Sequence, residues 1–178
     1  MHSSLRSITA IVTLALLATS ANAQNITRTD FEAFRAMFMG RWIGEIRWVA
    51  DWPGIGKKGD TATCYLDVNS IEDGNAMIGK FCGGTASGTV LWVYCAGEKR
   101  ITGTAVYSNG AVDHLTYTKE DGMWIETVSG VLPDGRKNEA RSTIMLEQDG
   151  TILRARGKGT VDGKPTDPRD DKWQRLGK

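Results

Sequence analysis

Six Asx-Gly dipeptides constrain this chain more than any other feature: Asp73-Gly74, Asn109-Gly110, Asp121-Gly122, Asp134-Gly135, Asp149-Gly150 and Asp162-Gly163. Both residue types tolerate φ > 0, and Asn-Gly or Asp-Gly between alternating segments is the strongest short-range hairpin signal. From Asn109 onward they recur about every 12–15 residues, which leaves room for strands of eight to ten residues. Gly88 and Gly97-Glu98-Lys99 fill the gap between the first two. No helical period interrupts the train, so consecutive hairpins predict an antiparallel meander. Strands are expected near 60–71, 100–108, 111–119, 123–132, 136–147 and 151–161, with a last one after Pro165 and Pro168 that holds Lys172 to Leu176. An open sheet of that width curls or exposes a sticky edge. The expected fold is therefore all-β: one antiparallel up-and-down β-barrel of about 8–10 strands, closed last strand to first.

Ahead of the train, Thr29 to Met39 reads as a short helix. Thr29 and Glu32 have capping-box spacing, and Phe31, Phe34, Met37 and Phe38 form one apolar face. So short a helix is marginal alone and is expected to plug one end of the barrel. Gly40 stops it, and the period then switches to two, with Trp42, Gly44, Ile46 and Trp48 on one face. Asp51 to Gly59 is a glycine-rich loop without phosphate-loop spacing, and is expected to lie over the barrel mouth.

Residues 1–23 read as a signal peptide. Arg6 precedes an apolar run from Ile8 to Ala18, and Ala21-Asn22-Ala23 is a small-x-small cleavage site. Residues 24–178 are then the barrel domain, exported to the periplasm or secreted. No stretch is long enough for an integral membrane segment. With 22 Lys and Arg against 21 Asp and Glu, all scattered, the charge pattern suggests no nucleic-acid partner. After the leader there is a single histidine, His114, and three cysteines without C-x-x-C spacing, which argues against a metal site. A turn at Gly88-Thr89 would set Cys82 opposite Cys95 and makes them the candidate disulfide.

Gly40-x-Trp42 opening the first strand, the helix before it and Arg175 in the last strand resemble the lipocalin and fatty-acid-binding (calycin) barrels. A Trp-Pro-Gly loop after strand one brings the chain closer still to exported bacterial proteins with a lipocalin-like domain. The resemblance implies that Trp42 closes the barrel base and that Arg175 packs across it. Gly40, Trp42 and Arg175 are thus expected to be structural. About ten strands suit fatty-acid-binding or nitrobindin-like barrels better than an eight-stranded lipocalin. The helical lid and the Arg-x-Tyr pattern of fatty-acid-binding proteins are missing.

Such a barrel is expected to bind a small apolar or amphipathic molecule, with Trp48, Leu66, Phe81, Trp92, His114 and Glu126 as candidate ligand-binding residues. Asn138, Arg154 and Arg156 are candidate interior polar groups. If His114 faced inward, it could ligate haem as nitrobindin-like barrels do; otherwise no cofactor is expected. Two further alternatives are a filled barrel whose loops bind or inhibit another protein, and an enzyme using His114 or Glu126 as acid or base. No catalytic grouping is visible, so the balance leans away from an enzyme.

Overall fold

The computed structural model describes residues 25–177. The expected signal peptide and its cleavage site near Ala23 lie outside the described residues.

The chain forms helix α1 (Arg28–Phe38) and then β1 (Gly40–Arg47), β2 (Thr61–Ile71), β3 (Ala76–Gly83), β4 (Ala86–Cys95), β5 (Arg100–Tyr107), β6 (Val112–Glu120), β7 (Met123–Val131), β8 (Lys137–Glu147), β9 (Ile152–Val161), β10 (Lys164–Pro165) and β11 (Arg169–Arg175). Each strand from β1 to β9 pairs antiparallel with the next long strand in the chain. Then β11 pairs with both β9 and β1 and completes a closed ten-stranded antiparallel barrel. An even number of up-and-down strands lets the last meet the first antiparallel, so no edge is left open. Both β10 and β11 pair with β9. They are one bent strand interrupted by Pro165 and Pro168, residues that cannot donate to a ladder.

The Asx-Gly turns fall where the sequence places them, with two backbone solutions. At Asp73, Asp121, Asp149 and Asp162 both turn residues take φ > 0. Asn109 and Asp134 leave that to the glycine alone. Their side chains instead accept from the backbone N–H two residues on, at Ala111 and Arg136.

Two boundaries differ from expectation. The helix cap is Thr27 with Asp30, in a reciprocal capping box, so the helix begins one residue before Thr29. The β3–β4 turn is at Gly84-Thr85, not Gly88. Gly88 sits within β4 opposite Phe81, where a Cβ would collide with that ring. Cys82 therefore faces Ser87 and Cys95 faces Arg100, near opposite ends of the hairpin. Both cysteines are free, which overturns the candidate disulfide.

The floor of the barrel is packed solid. Phe31, Phe34, Met37 and Phe38 of α1 are buried. The Phe34 ring meets Tyr117, Trp124 and Phe38 at centroid distances of 4.7, 4.9 and 4.8 Å, and Phe38 reaches Trp92 at 5.4 Å. Trp42 is fully buried and donates from Nε1 to the Phe38 carbonyl. The Arg175 guanidinium lies 4.1 Å from the Trp42 ring centroid and donates to the carbonyls of Met37, Met39 and Gly150. It thereby ties the open end of the helix to the last strand. Gly40 takes φ +106, and a Cβ there would stand 3.3 Å from the Arg175 Nη1. Only glycine suits both constraints.

Candidate ligand-binding cavity

Inward positions on β1 to β9 and β11 line a cavity of about 290 Å³ above this floor. Its wall is largely apolar: Leu66, Phe81, Val90, Leu115, Val128 and Leu153 contribute, together with Trp48, Trp52, Trp92 and Trp173. The volume lies at the small end of the range for ligand pockets, roughly 300–1,000 Å³.

The loop between β1 and β2 crosses the mouth. Trp52 stacks edge-on against Tyr107 (5.0 Å) and beside Trp48 (5.8 Å). Every neighbouring hairpin at that end holds the loop. Thr85 donates to the Ile55 carbonyl, Asn109 to that of Pro53 and Arg136 to that of Asp51. Asp167 pairs with Lys58 at 2.8 Å and with Arg47 at 3.5 Å. The loop is a latched cover, as its sequence suggests.

Polar groups inside the lumen form two clusters. Near the mouth, buried Asp113 accepts from the Tyr107 hydroxyl and the Asn138 amide, each at 3.0 Å. Burial pushes the Asp113 carboxyl up, and the two donors only partly offset it. Deeper, Arg169 donates from Nη1 to Glu126 (2.8 Å) and from Nε to Asp171 (2.5 Å). Glu126 also accepts from the Tyr117 hydroxyl at 2.7 Å, which in turn accepts from Trp92 Nε1 at 2.9 Å. Burial opposes the Arg169 charge, but Asp171 and Glu126 outweigh it and hold the guanidinium more firmly protonated than usual. Arg169 keeps 32% of its side-chain surface, and that surface opens on the cavity. Burial, helped by the Asp171 charge, raises the Cys64 thiol and so keeps it from being a ready nucleophile.

Inward glycines make these crossings feasible. Gly130 lies between Asp113 and Asn138 on adjacent strands, and a Cβ there would strike the Asp113 carboxylate. Gly157 lies between Arg169 and Ser142, and a Cβ there would strike the Ser142 hydroxyl and the Arg141 carbonyl. Each glycine leaves space for polar side chains to meet over it.

Among the sequence candidates, Trp48, Leu66, Phe81, Trp92 and Glu126 stand on the cavity wall, as does Asn138. His114 does not. Asp113, Leu115 and Tyr117 take the inward positions of β6, so His114 is exposed on the outer face between Thr104 and Ser129. The condition for haem ligation, an inward His114, is not met; His114 leaves the set of candidate ligand-binding residues, and a His114–Glu126 acid–base pair lacks the geometry. Arg154 and Arg156 also point outward, to Asp170. The interior arginine is Arg169, which the sequence reading passed over. The period-two count back from Trp173 through Asp171 was the signal that could have found it.

These features define the class: a closed ten-stranded β-barrel with a plugged floor, an architecture that fits calycin-like barrels. The crystal structure of Rv2717c from M. tuberculosis is similar, with a TM-score of 0.57 at 12% identity over 85% of this chain and 99% of that one. At that identity the likeness shows the fold alone. No family model matches the sequence, and no curated protein matches it. No helix among the described residues is long and apolar enough to cross a membrane.

Proposed function

We propose that this chain is an exported, lipocalin-like carrier or sensor that binds a small apolar or amphipathic molecule in the lumen, in the periplasm or after secretion. The observation that carries the reading is the cavity itself. A barrel with a solid floor keeps open volume above it, walled by apolar side chains and crossed by a few convergent polar groups, the usual make-up of a ligand site. The open volume also counts against the alternative of a filled barrel acting through its loops. Catalysis has less support, because Glu126 has Tyr117 and Arg169 beside it rather than His114.

Native mass spectrometry of the full chain purified from its own compartment is the direct test. A retained small molecule is expected. A lumen-filling variant, Ala140→Phe, is expected to release it with the fold intact, since Ala140 is a half-buried wall residue beside open space. A bare mass, together with no uptake of an apolar probe by either protein, would remove the reading.

A further inference from the structure

The deep polar cluster has more negative charge than positive, and a buried hydroxyl beside it has no partner. Tyr117, Glu126, Ser142, Gly157 and Arg169 occupy consecutive cross-strand positions on β6, β7, β8, β9 and β11. Arg169 and Glu126 reach toward each other across this row, over Gly157 and Ser142. Two carboxylates, Glu126 and Asp171, converge on the one guanidinium. Near the mouth Asp113 adds a further acidic group. The other cations on the wall, Arg47 and Lys158, are exposed at the mouth.

The cluster's hydrogen-bonding capacity is also unfilled. Ser142 is 2% exposed, lines the cavity and makes no hydrogen bond through Oγ. Asp171 accepts from Arg169 through Oδ2, and its second oxygen, which keeps some accessible surface, has no side-chain donor among the described residues. Buried polar atoms in native proteins are nearly always satisfied, by water or by a ligand. A surplus carboxylate in a low-dielectric lumen is costly until an opposite charge joins it. A group with several donors and a positive charge would satisfy both requirements. A carboxylate head could use the three Arg169 N–H groups that Glu126 and Asp171 leave free, and the Ser142 hydroxyl, but it would meet the surplus negative charge.

We propose that the lumen selects a small amphipath whose head is a primary ammonium, seated on Asp171, Glu126 and Ser142, over the same molecule ending in a carboxylate. The inference rests on the lumen being a ligand site, and the experiment separates the two. Hexylamine, hexanol and hexanoate share one tail and differ in the head. Each is titrated into the full chain by calorimetry at neutral pH and fixed salt. Hexylamine is expected to bind at least about tenfold more tightly than hexanol, with hexanoate weakest. Equal affinities, or a preference for hexanoate, would overturn the head-group assignment while leaving the cavity reading in place. Silence from all three and from an apolar probe would remove both.

Two variants sharpen the result. Glu126→Gln removes one charge, keeps one oxygen to accept from Arg169 and turns an amide N–H toward the Tyr117 hydroxyl, which can accept it, and is expected to bring hexylamine down to the affinity of hexanol. Ser142→Ala removes only the unpartnered hydroxyl. It is expected to weaken hexylamine about fivefold while the melting temperature holds or rises. Wild-type affinity for hexylamine in both variants would refute the assignment.

Discussion

At the scale of single residues, the floor and the lumen depend on different kinds of contact. Trp42 supplies buried volume, and Arg175 supplies a planar fork that reaches three carbonyls from one position. Trp42→Ala is expected to cost about 3–5 kcal/mol in denaturant unfolding. Arg175→Lys keeps the charge but loses the fork and the stacked plane, at about 1–2 kcal/mol. If the lysine variant matched wild type, charge alone would be holding the floor. In the lumen the sensitive residue is the one without a side chain. Gly157→Ala is expected to destabilise by about 1–3 kcal/mol, since its Cβ must displace Ser142 or bend β8. Gly97→Ala, a turn position with open space around it and no left-handed φ, is the matched control and should be close to neutral.

At the scale of elements, α1 is held less by helical propensity than by its attachments. Asp30 caps the N-terminus with Thr27 and pairs with Lys119 of β6 at 2.8 Å. Lys119 and Thr27 lower its carboxyl pKa to about 2. A depressed carboxylate stabilises the fold above its unfolded pKa near 4 and loses that contribution as the pH falls through 2. Asp30→Asn should therefore cost up to about 1 kcal/mol at pH 6, discounted because the pair is solvent-accessible, and much less at pH 2. Parallel acid unfolding curves for the two proteins would contradict this. Elements of this kind were legible because turns and alternation are local properties. The strands from β5 to β9 lie within a residue or two of where the Asx-Gly train puts them. The errors arose where tertiary contact overrides local pattern. Gly88 looks like a turn but makes room for the Phe81 ring. Arg169-Asp170-Asp171-Lys172 looks like a solvated linker, yet alternate residues point inward to build the lumen's polar cluster. A buried ion pair inverts the usual apolar-in pattern, so periodicity alone cannot place it. The alternation of β6 leaves open which face of the strand is inward, because Asp113 takes an inward position beside Leu115 and Tyr117, and one step of register exchanges the two faces.

At the scale of the whole molecule, β11 does two jobs. It closes the barrel between β9 and β1, and it delivers Arg169, Asp171, Trp173 and Arg175 to the inside. A variant ending at Pro168 would lose the floor lock and the polar cluster together and expose two unpaired edges. It is expected to aggregate and to lack a cooperative unfolding transition, as read by light scattering and circular dichroism. A soluble, cooperatively folding truncation would show that nine strands can close alone. Closure joins strands at opposite ends of the described chain, which places this barrel among slow-folding topologies, on the order of milliseconds to seconds. The distribution of indoles has an optical consequence. Of the six tryptophans, Trp48, Trp52, Trp92 and Trp173 border the cavity, whereas Trp42 and Trp124 lie in the packed floor. The protein thus carries its own two-channel fluorophore set. Emission from the first group is expected to shift when a molecule is taken up in the lumen, while the second is expected to keep a blue-shifted, quencher-resistant baseline until the barrel itself unfolds, which titration and acrylamide quenching would read.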